Sequence, residues 1–236
     1  MRLVEPPTDR SIMVIAAHPD DMESWCSGTI ARSIRAGSSV RLLLLTSGDK
    51  GSNDPATMPE AVATVREQEA RRSADLLGIE IVEFLRLPDG EVEDTPELRC
   101  ELAWWIRQWQ PGVVFTHDPE HAHPPYFSHR DHRVAGRVAL DAIYPFARDQ
   151  LACLHHRASR LRPHQVSHVW LFASEVADSF VDISETMGVK IEARLAHESQ
   201  TENAEQLRTA WLRRAREIGE PAGTAFAEAF TIVAAR

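Results

Sequence analysis

Residues 18–21, His-Pro-Asp-Asp, put an imidazole and a carboxylate three residues apart across a tight turn, and that spacing lets both converge on one divalent ion. Asp20, between them, points differently and is left free. A free carboxylate beside a metal-activated water is the arrangement of a general base: the ion brings the water's pKa toward about 7 and the carboxylate takes the proton. A third ligand has to come from elsewhere. The run 129–132, His-Arg-Asp-His, offers His132, which gives a His18–Asp21–His132 site with positions left open for water and substrate. His129 then stands beside the ion without binding it. Asp131 is expected to hold that imidazole, raise its pKa and favour the imidazolium, a cation suited to stabilising an oxyanion. Each motif also has a purely structural account: a turn and cap for the first, an acidic helix N-terminus for the second. Their joint occurrence favours the chemical one.

Other polar groups carry less. His117, His121 and His123 lie on a Pro-rich loop without a ligand spacing, and are expected at the rim of a site rather than on the metal. Asp118, which ends a strand, is a better candidate for the pocket and for contact with substrate. Arg66 and Glu69 are one helical turn apart; taken alone they read as a surface pair, although Arg66 can also reach a crevice and bind substrate. The run 197–200 reads as a polar helix end, and Cys26 as a small packed residue. A serine-histidine-aspartate triad has no nucleophile elbow to build on, since no G-x-S-x-G occurs.

The elements that must position these groups alternate. Strands are expected at 12–17, 40–45, 81–85 and 113–116, and helices at 27–36, 59–77, 95–109 and 130–143. That alternation predicts a mostly parallel sheet with right-handed crossovers in a Rossmann-like three-layer α/β sandwich. The crevice of such a sheet lies at the carboxyl ends of its strands, where residues 18–21 fall. Residues 148–164 read as a surface connection. Short strands at 169–173 and 180–183 suggest a small added antiparallel part. A helical stretch at 185–217 is expected to carry Lys190, Glu192 and Arg194 on a wet face.

The 236 residues, 43% of them hydrophobic, suffice for one such domain. A formal charge of −9 argues against nonspecific binding to nucleic acid or to an anionic membrane. Three widely spaced cysteines make a disulfide framework unexpected and a reducing cytoplasm the natural setting. The N-terminal residues lack the apolar stretch of a signal peptide, and no run approaches the roughly 18 apolar residues of a membrane span.

These motifs resemble the PIG-L/LmbE-like family of zinc-dependent N-deacetylases, which act on N-acetylglucosamine conjugates. The resemblance rests on Ala17–His18–Pro19–Asp20–Asp21–x–Glu23, Gly28–Thr29–Ile30–Ala31, Thr46–Ser47–Gly48–Asp49, Arg66–x–x–Glu69–Ala70, Leu87–Pro88–Asp89–Gly90, His129–x–Asp131–His132–Arg133 and Ala196–His197–x–Ser199–Gln200. It spans nearly the whole chain and implies a single domain over 1–236, with a core at about 10–147 and a C-terminal part at about 165–236. It implies zinc on His18, Asp21 and His132, with Fe(II) compatible with the same ligands. It also implies Asp20 as general base, His129 as the electrostatic or acid group with Asp131 behind it, and Arg66 as a substrate contact. The expected partner is a small N-acyl amino sugar or its conjugate, and a homo-oligomer is compatible with this. Two other functions fit the same motifs: an amidase for a larger glucosamine-inositol thiol conjugate, and a sugar-binding domain without turnover. The intact set His18, Asp20, Asp21, His129 and His132 disfavours the latter. Trp25 and Ser27 stand where the family commonly has glycine, which leaves substrate identity open.

Overall fold

Strand β2 (Ser11–Ala16) is buried on both faces because its apolar residues alternate without interruption: Ile12, Val14 and Ala16 enter one core, Met13 and Ile15 the other. The computed structural model describes residues 2–120 and 128–235. Around β2 it shows β1 (Arg2–Leu3), β3 (Ser39–Thr46), β4 (Ile81–Leu87), β5 (Val113–His117), β6 (His168–Phe172), β7 (Ser179–Asp182) and β8 (Ala227–Ala234). These form one sheet in the order β1-β7-β8-β6-β5-β2-β3-β4. Helices α1 (Asp21–Trp25), α2 (Ser27–Arg35), α3 (Pro59–Leu77), α6 (Met187–Leu195) and α7 (Ala204–Gly219) pack on one face, and α4 (Pro96–Trp109) and α5 (Arg130–Asp141) on the other. The α/β, mostly parallel architecture is the one expected.

β2 pairs in parallel with both β3 and β5. The chain builds β3 and β4 on one side of β2, then crosses to build β5 and β6 on the other. The carboxyl ends of β2 and β5 therefore flank the point where strand order reverses, the crevice in which open sheets hold ligands.

The C-terminal third differs from expectation. β6 is parallel to β5 and β7 is parallel to β1; among the described residues the antiparallel strand is β8, which lies between β6 and β7. β8 was not expected at all, although Phe230–Thr231–Ile232–Val233 is a strand-forming run. The helical stretch at 185–217 is two helices, α6 and α7, broken at the 3₁₀ turn Glu198–Gln200. Of the three residues expected on its wet face, Glu192 is exposed but Lys190 and Arg194 are buried.

Lys190 is buried because its charge is matched. Its Nζ donates to Glu228 Oε1 at 2.7 Å and to the Glu23 carbonyl at 2.6 Å. Glu228 in turn accepts from the Gly28 and Thr29 N–H groups at 2.9 and 2.7 Å, so β8 supplies an acidic cap to the N-terminus of α2. Breaking one partner of a buried pair leaves an uncompensated charge. Lys190→Met is expected to lower unfolding stability by about 3–5 kcal/mol, measured by denaturant titration, and Lys190→Met with Glu228→Gln by clearly less.

The cysteine expectation is also corrected. Cys100 and Cys153 form a disulfide, 53 residues apart, with Cα atoms separated by 5.6 Å. Arg107 explains how such a wide spacing closes: from α4 it donates to the carbonyls of Phe146, Ala147 and Asp149 at 2.8–3.0 Å and docks the following segment beside Cys100. The cytoplasmic expectation thereby loses the support it drew from cysteine spacing. No described helix is long and apolar enough to cross a membrane.

Candidate metal centre and active site

β2 ends at Ala16, and the chain turns through Pro19 and Asp20 directly into α1. Asp20 adopts φ 92°, the left-handed region that a non-glycine residue rarely occupies and that costs on the order of 1–3 kcal/mol. Three contacts hold it there. Ser24 Oγ donates to the Asp20 carbonyl at 2.8 Å. Arg66 Nη2 lies 3.3 Å from Asp20 Oδ1, and Arg194 Nη2 lies 3.4 Å from Oδ2. Burial and the adjacent Asp21 carboxylate raise the pKa of Asp20, and they outweigh Arg66, Arg194 and His197, which act to lower it.

Arg66 is therefore not half of a surface pair. It is buried, and it also donates to the carbonyls of Pro19 at 2.7 Å and Gly48 at 3.0 Å. Glu69 goes elsewhere, accepting from the Ser199 N–H and hydroxyl at 2.7 and 2.6 Å. Gly48 has φ +64°, where side chains are strained, and a Cβ there would sit 2.1 Å from Arg66 Nη1 and displace the guanidinium.

His18, Asp21 and His132 converge. His18 Nδ1 is 3.2 Å from His132 Nε2, His132 Nε2 is 3.0 Å from Asp21 Oδ1, and His18 Nδ1 is 3.5 Å from Asp21 Oδ2. Two donors each about 2.0–2.1 Å from a tetrahedral zinc stand about 3.3 Å apart. The His18–His132 and His132–Asp21 Oδ1 separations are of that size, while His18 faces the other Asp21 oxygen; the overlapping groups His18–His129–His132 and Asp21–His117–His132 each bring donor atoms close enough to hold one ion, and the residues fit a divalent cation. The charges fit as well. Asp21, although buried, is held well below the usual carboxylate range by His132 and His117. His18 is pushed well above the ordinary histidine value, against its burial, by Asp131, Asp21 and Asp89.

The other nitrogen of His18 faces carboxylates, as metal-ligating imidazoles usually do. His18 Nε2 lies 3.1 Å from Asp89 Oδ1 and 3.4 Å from Asp131 Oδ2, in charge contact without a directed hydrogen bond. Asp131 is fixed by the Gly90 and Val92 N–H groups at 2.6 and 3.3 Å. This corrects the expected Asp131–His129 pairing. His129 meets Asp131 through the backbone only: its Nδ1 accepts from the Asp131 N–H at 3.2 Å and caps α5. Its pKa is lowered rather than raised, by burial and by His18 and His132, with Asp131 and Asp89 opposing. With Nδ1 as acceptor, the neutral ring carries its proton on Nε2 and presents an N–H donor.

His117 is not at the rim. It ends β5, fully buried, with Nε2 3.2 Å from Asp21 Oδ2 and its ring stacked on His132 at 4.3 Å. Burial, reinforced by His132, lowers its pKa to about 4. Asp21 Oδ2 accepts the His18 backbone N–H at 2.7 Å, His117 Nε2 accepts the Ala17 N–H at 3.3 Å, and Asp21, His117 and His132 lie close enough to hold an ion together. His121 and His123 lie outside the described residues. Asp118 is buried at the same edge and accepts the Glu120 N–H at 3.0 Å. Asp89, His117 and Arg194 were missed as site residues; the signal for the first two is that each is an early polar residue at the carboxyl end of a strand.

His132 reaches the site because α5 packs tightly on β5. A Cβ on Gly136 would lie 2.4 Å from the His117 carbonyl. Gly136→Ala is expected to push α5 outward and weaken metal binding by roughly 10–100-fold, the scale of disturbing a ligand's outer partner; competition with a calibrated chelator measures it.

A sequence model of PIG-L, described as GlcNAc-PI de-N-acetylase, matches residues 13–143. The chain belongs to the PIG-L family. Among its PIG-L relatives, the diacetylchitobiose deacetylase of Thermococcus kodakarensis is 35% identical over 205 residues, covering 84% of this chain and 73% of that protein. A probable N-acetyl-α-D-glucosaminyl L-malate deacetylase of Bacillus anthracis is 26% identical and covers 81% of this chain and 82% of the relative. The structure of N,N'-diacetylchitobiose deacetylase from Pyrococcus horikoshii, bound to its inhibitor MPG, superposes with a TM-score of 0.89 at 29% identity, over 96% of this chain and 85% of that one.

Proposed function

We propose that this PIG-L protein is a metal-dependent deacetylase that removes the N-acetyl group from an N-acetylglucosamine saccharide or conjugate. The observation that carries the proposal is the approach of His132 Nε2 to both His18 Nδ1 and Asp21 Oδ1, with Asp20 gripped nearby by Arg66 and Arg194. Family membership and the diacetylchitobiose deacetylases among its relatives support the substrate class. The donor set of two imidazoles and one carboxylate suits zinc, and suits Fe(II) equally.

His18, Asp21 and His132 would hold the ion, which would supply Lewis-acid activation of the acetyl carbonyl and of water. Asp20, its carboxylate fixed by two guanidiniums, takes a proton from the attacking water. His129 directs its Nε2–H at the oxyanion that develops on the carbonyl oxygen. Asp20 then returns the proton to the leaving nitrogen as the C–N bond breaks, giving acetate and a free amino sugar. Arg66 serves by positioning Asp20, which its contacts with Pro19 and Gly48 make rigid. Asp118 remains the candidate substrate contact at the carboxyl edge of β5. Amine release from N-acetylglucosamine, N,N'-diacetylchitobiose and glucosaminyl conjugates tests the proposal. Release from at least one of them is expected, and no release from any by the metal-loaded protein contradicts it.

A further inference from the structure

The turn at residues 197–201, which follows α6, has no role in the chemistry described so far. It is nonetheless anchored to α1, which follows Asp20, and to α3, which carries Arg66. His197 is fully buried, with Nε2 3.3 Å from Glu23 Oε1 on α1. Ser199 donates its N–H and its hydroxyl to the two oxygens of Glu69, at 2.7 and 2.6 Å, and Glu69 is buried on α3 one helical turn from Arg66.

From that footing the turn reaches both guanidiniums that grip Asp20. Arg194 Nη1 donates to Thr201 Oγ1 at 3.1 Å, and Nη2 donates to the Gln200 carbonyl at 3.2 Å. Gln200 Nε2 donates to the Gly51 carbonyl at 2.9 Å. The Gly51 N–H in turn donates to the Gly48 carbonyl, the same oxygen that receives Arg66.

Thr201 carries the orientation on the Arg194 side. Its hydroxyl has one proton, and that proton goes to the His197 carbonyl at 2.8 Å. The lone pairs that remain face Arg194 Nη1, so the hydroxyl is a fixed acceptor rather than a free rotor. Arg194 is buried, and a buried N–H without an acceptor is costly. Thr201 thereby sets where the guanidinium lies. The Asp20 carboxylate turns about one bond; Arg66 lies against its Oδ1 and Arg194 against its Oδ2, and holding both oxygens stops that rotation.

We propose that Thr201 is a positioning residue for the general base. With the Glu69–Ser199 pair anchoring its turn, it aims Arg194 at Asp20 and so fixes the direction from which Asp20 takes a proton from water. The proposal rests on the deacetylase reading and extends it to a residue that acts on Asp20 through another side chain.

The test compares Thr201→Val, which keeps the shape and loses the hydroxyl, with Thr201→Ser, which keeps the hydroxyl. Metal content, kcat and KM are measured on each zinc-loaded protein, with acetate release followed from the amino sugar named above that the wild type cleaves fastest. Thr201→Val is expected to lower kcat by about 10- to 100-fold, the scale of a misplaced catalytic group, with KM and metal content at wild-type values, and Thr201→Ser to recover most of that loss. A general structural defect would lower metal content or raise KM as well, and would not follow the hydroxyl. Should Thr201→Val not fold, Ser199→Ala and its hydroxyl-keeping partner Ser199→Thr make the same comparison one step back along the turn. A wild-type kcat in the hydroxyl-free variant, an equal loss in the hydroxyl-keeping one, or a loss that tracks metal content overturns the positioning role and leaves the deacetylase reading standing. Absence of acetate release by the wild type from every one of the sugars overturns the deacetylase reading, and the positioning role falls with it.

Discussion

Asp20→Asn is expected to lower kcat for acetate release by about 10²–10⁴-fold, the range that general acid–base groups contribute. The substitution keeps the shape of the side chain and the backbone turn. It removes the ability to take a proton from water and to return it to the amine. The metal cluster does not include Asp20, so metal content is expected to stay at the wild-type level, and KM to change far less than kcat. The turn itself should survive, because Ser24 holds the Asp20 carbonyl and Arg66 holds the Pro19 carbonyl independently of the charge. An Asp20→Asn protein with metal bound and full activity would remove Asp20 from the mechanism and require another base; Asp89 would be the first to try.

Asp21→Ala is expected to do something different: to abolish activity by abolishing the site. Asp21 provides the oxygen nearest His132 Nε2 and, through its other oxygen, receives the His18 N–H and the His117 ring. Its loss removes the carboxylate that His18, His117 and His132 share. The fall in metal affinity should exceed the roughly 10–100-fold that follows loss of a ligand's outer partner, so that dialysed protein retains little metal. Metal analysis and acetate release, measured on the same sample, check this together. Retention of one ion per chain by Asp21→Ala would place the ion on one of the two neighbouring groups that lack Asp21: His18, His129 and His132, or His18, Asp89 and Asp131.

The contrast between the two substitutions also shows how much of the site was legible in the sequence. His18, Asp20 and Asp21 sit in one short turn, so their convergence depends mainly on local geometry and on a strand ending just before them. His132 was legible because a helix start places it beside a second His and an Asp. The rest depended on partners far away in the chain. Arg66 and Glu69 look like a surface pair because their spacing is helical, yet Arg66 turns inward to Asp20 and Glu69 to Ser199, 130 residues on. Lys190 and Arg194 look solvated because charged residues usually are; Glu228 and Asp20, which make their burial tolerable, come from a strand not expected and a loop at the other end of the sequence.

The fold followed the same division. The alternating strands and helices of the first half were legible because each parallel strand is a continuous apolar run between turns. The C-terminal half was harder. β8 opens on Ala227–Glu228–Ala229 and ends exposed at Val233 and Ala234, and its place between β6 and β7 is set by pairing rather than by pattern. Cys100 and Cys153 meet where Arg107 gathers the carbonyls of a distant segment onto α4, a contact that no spacing rule contains.

Metal held by His18, Asp21 and His132 is proposed to make this chain a deacetylase. The most direct measurement is a titration of metal-free protein with zinc, following acetate release from N,N'-diacetylchitobiose. Activity should rise in proportion to added zinc, level off at one equivalent per chain and vanish with chelator. Acetate release that is already complete without metal, or none at any zinc level or with Fe(II) in its place, would contradict the account.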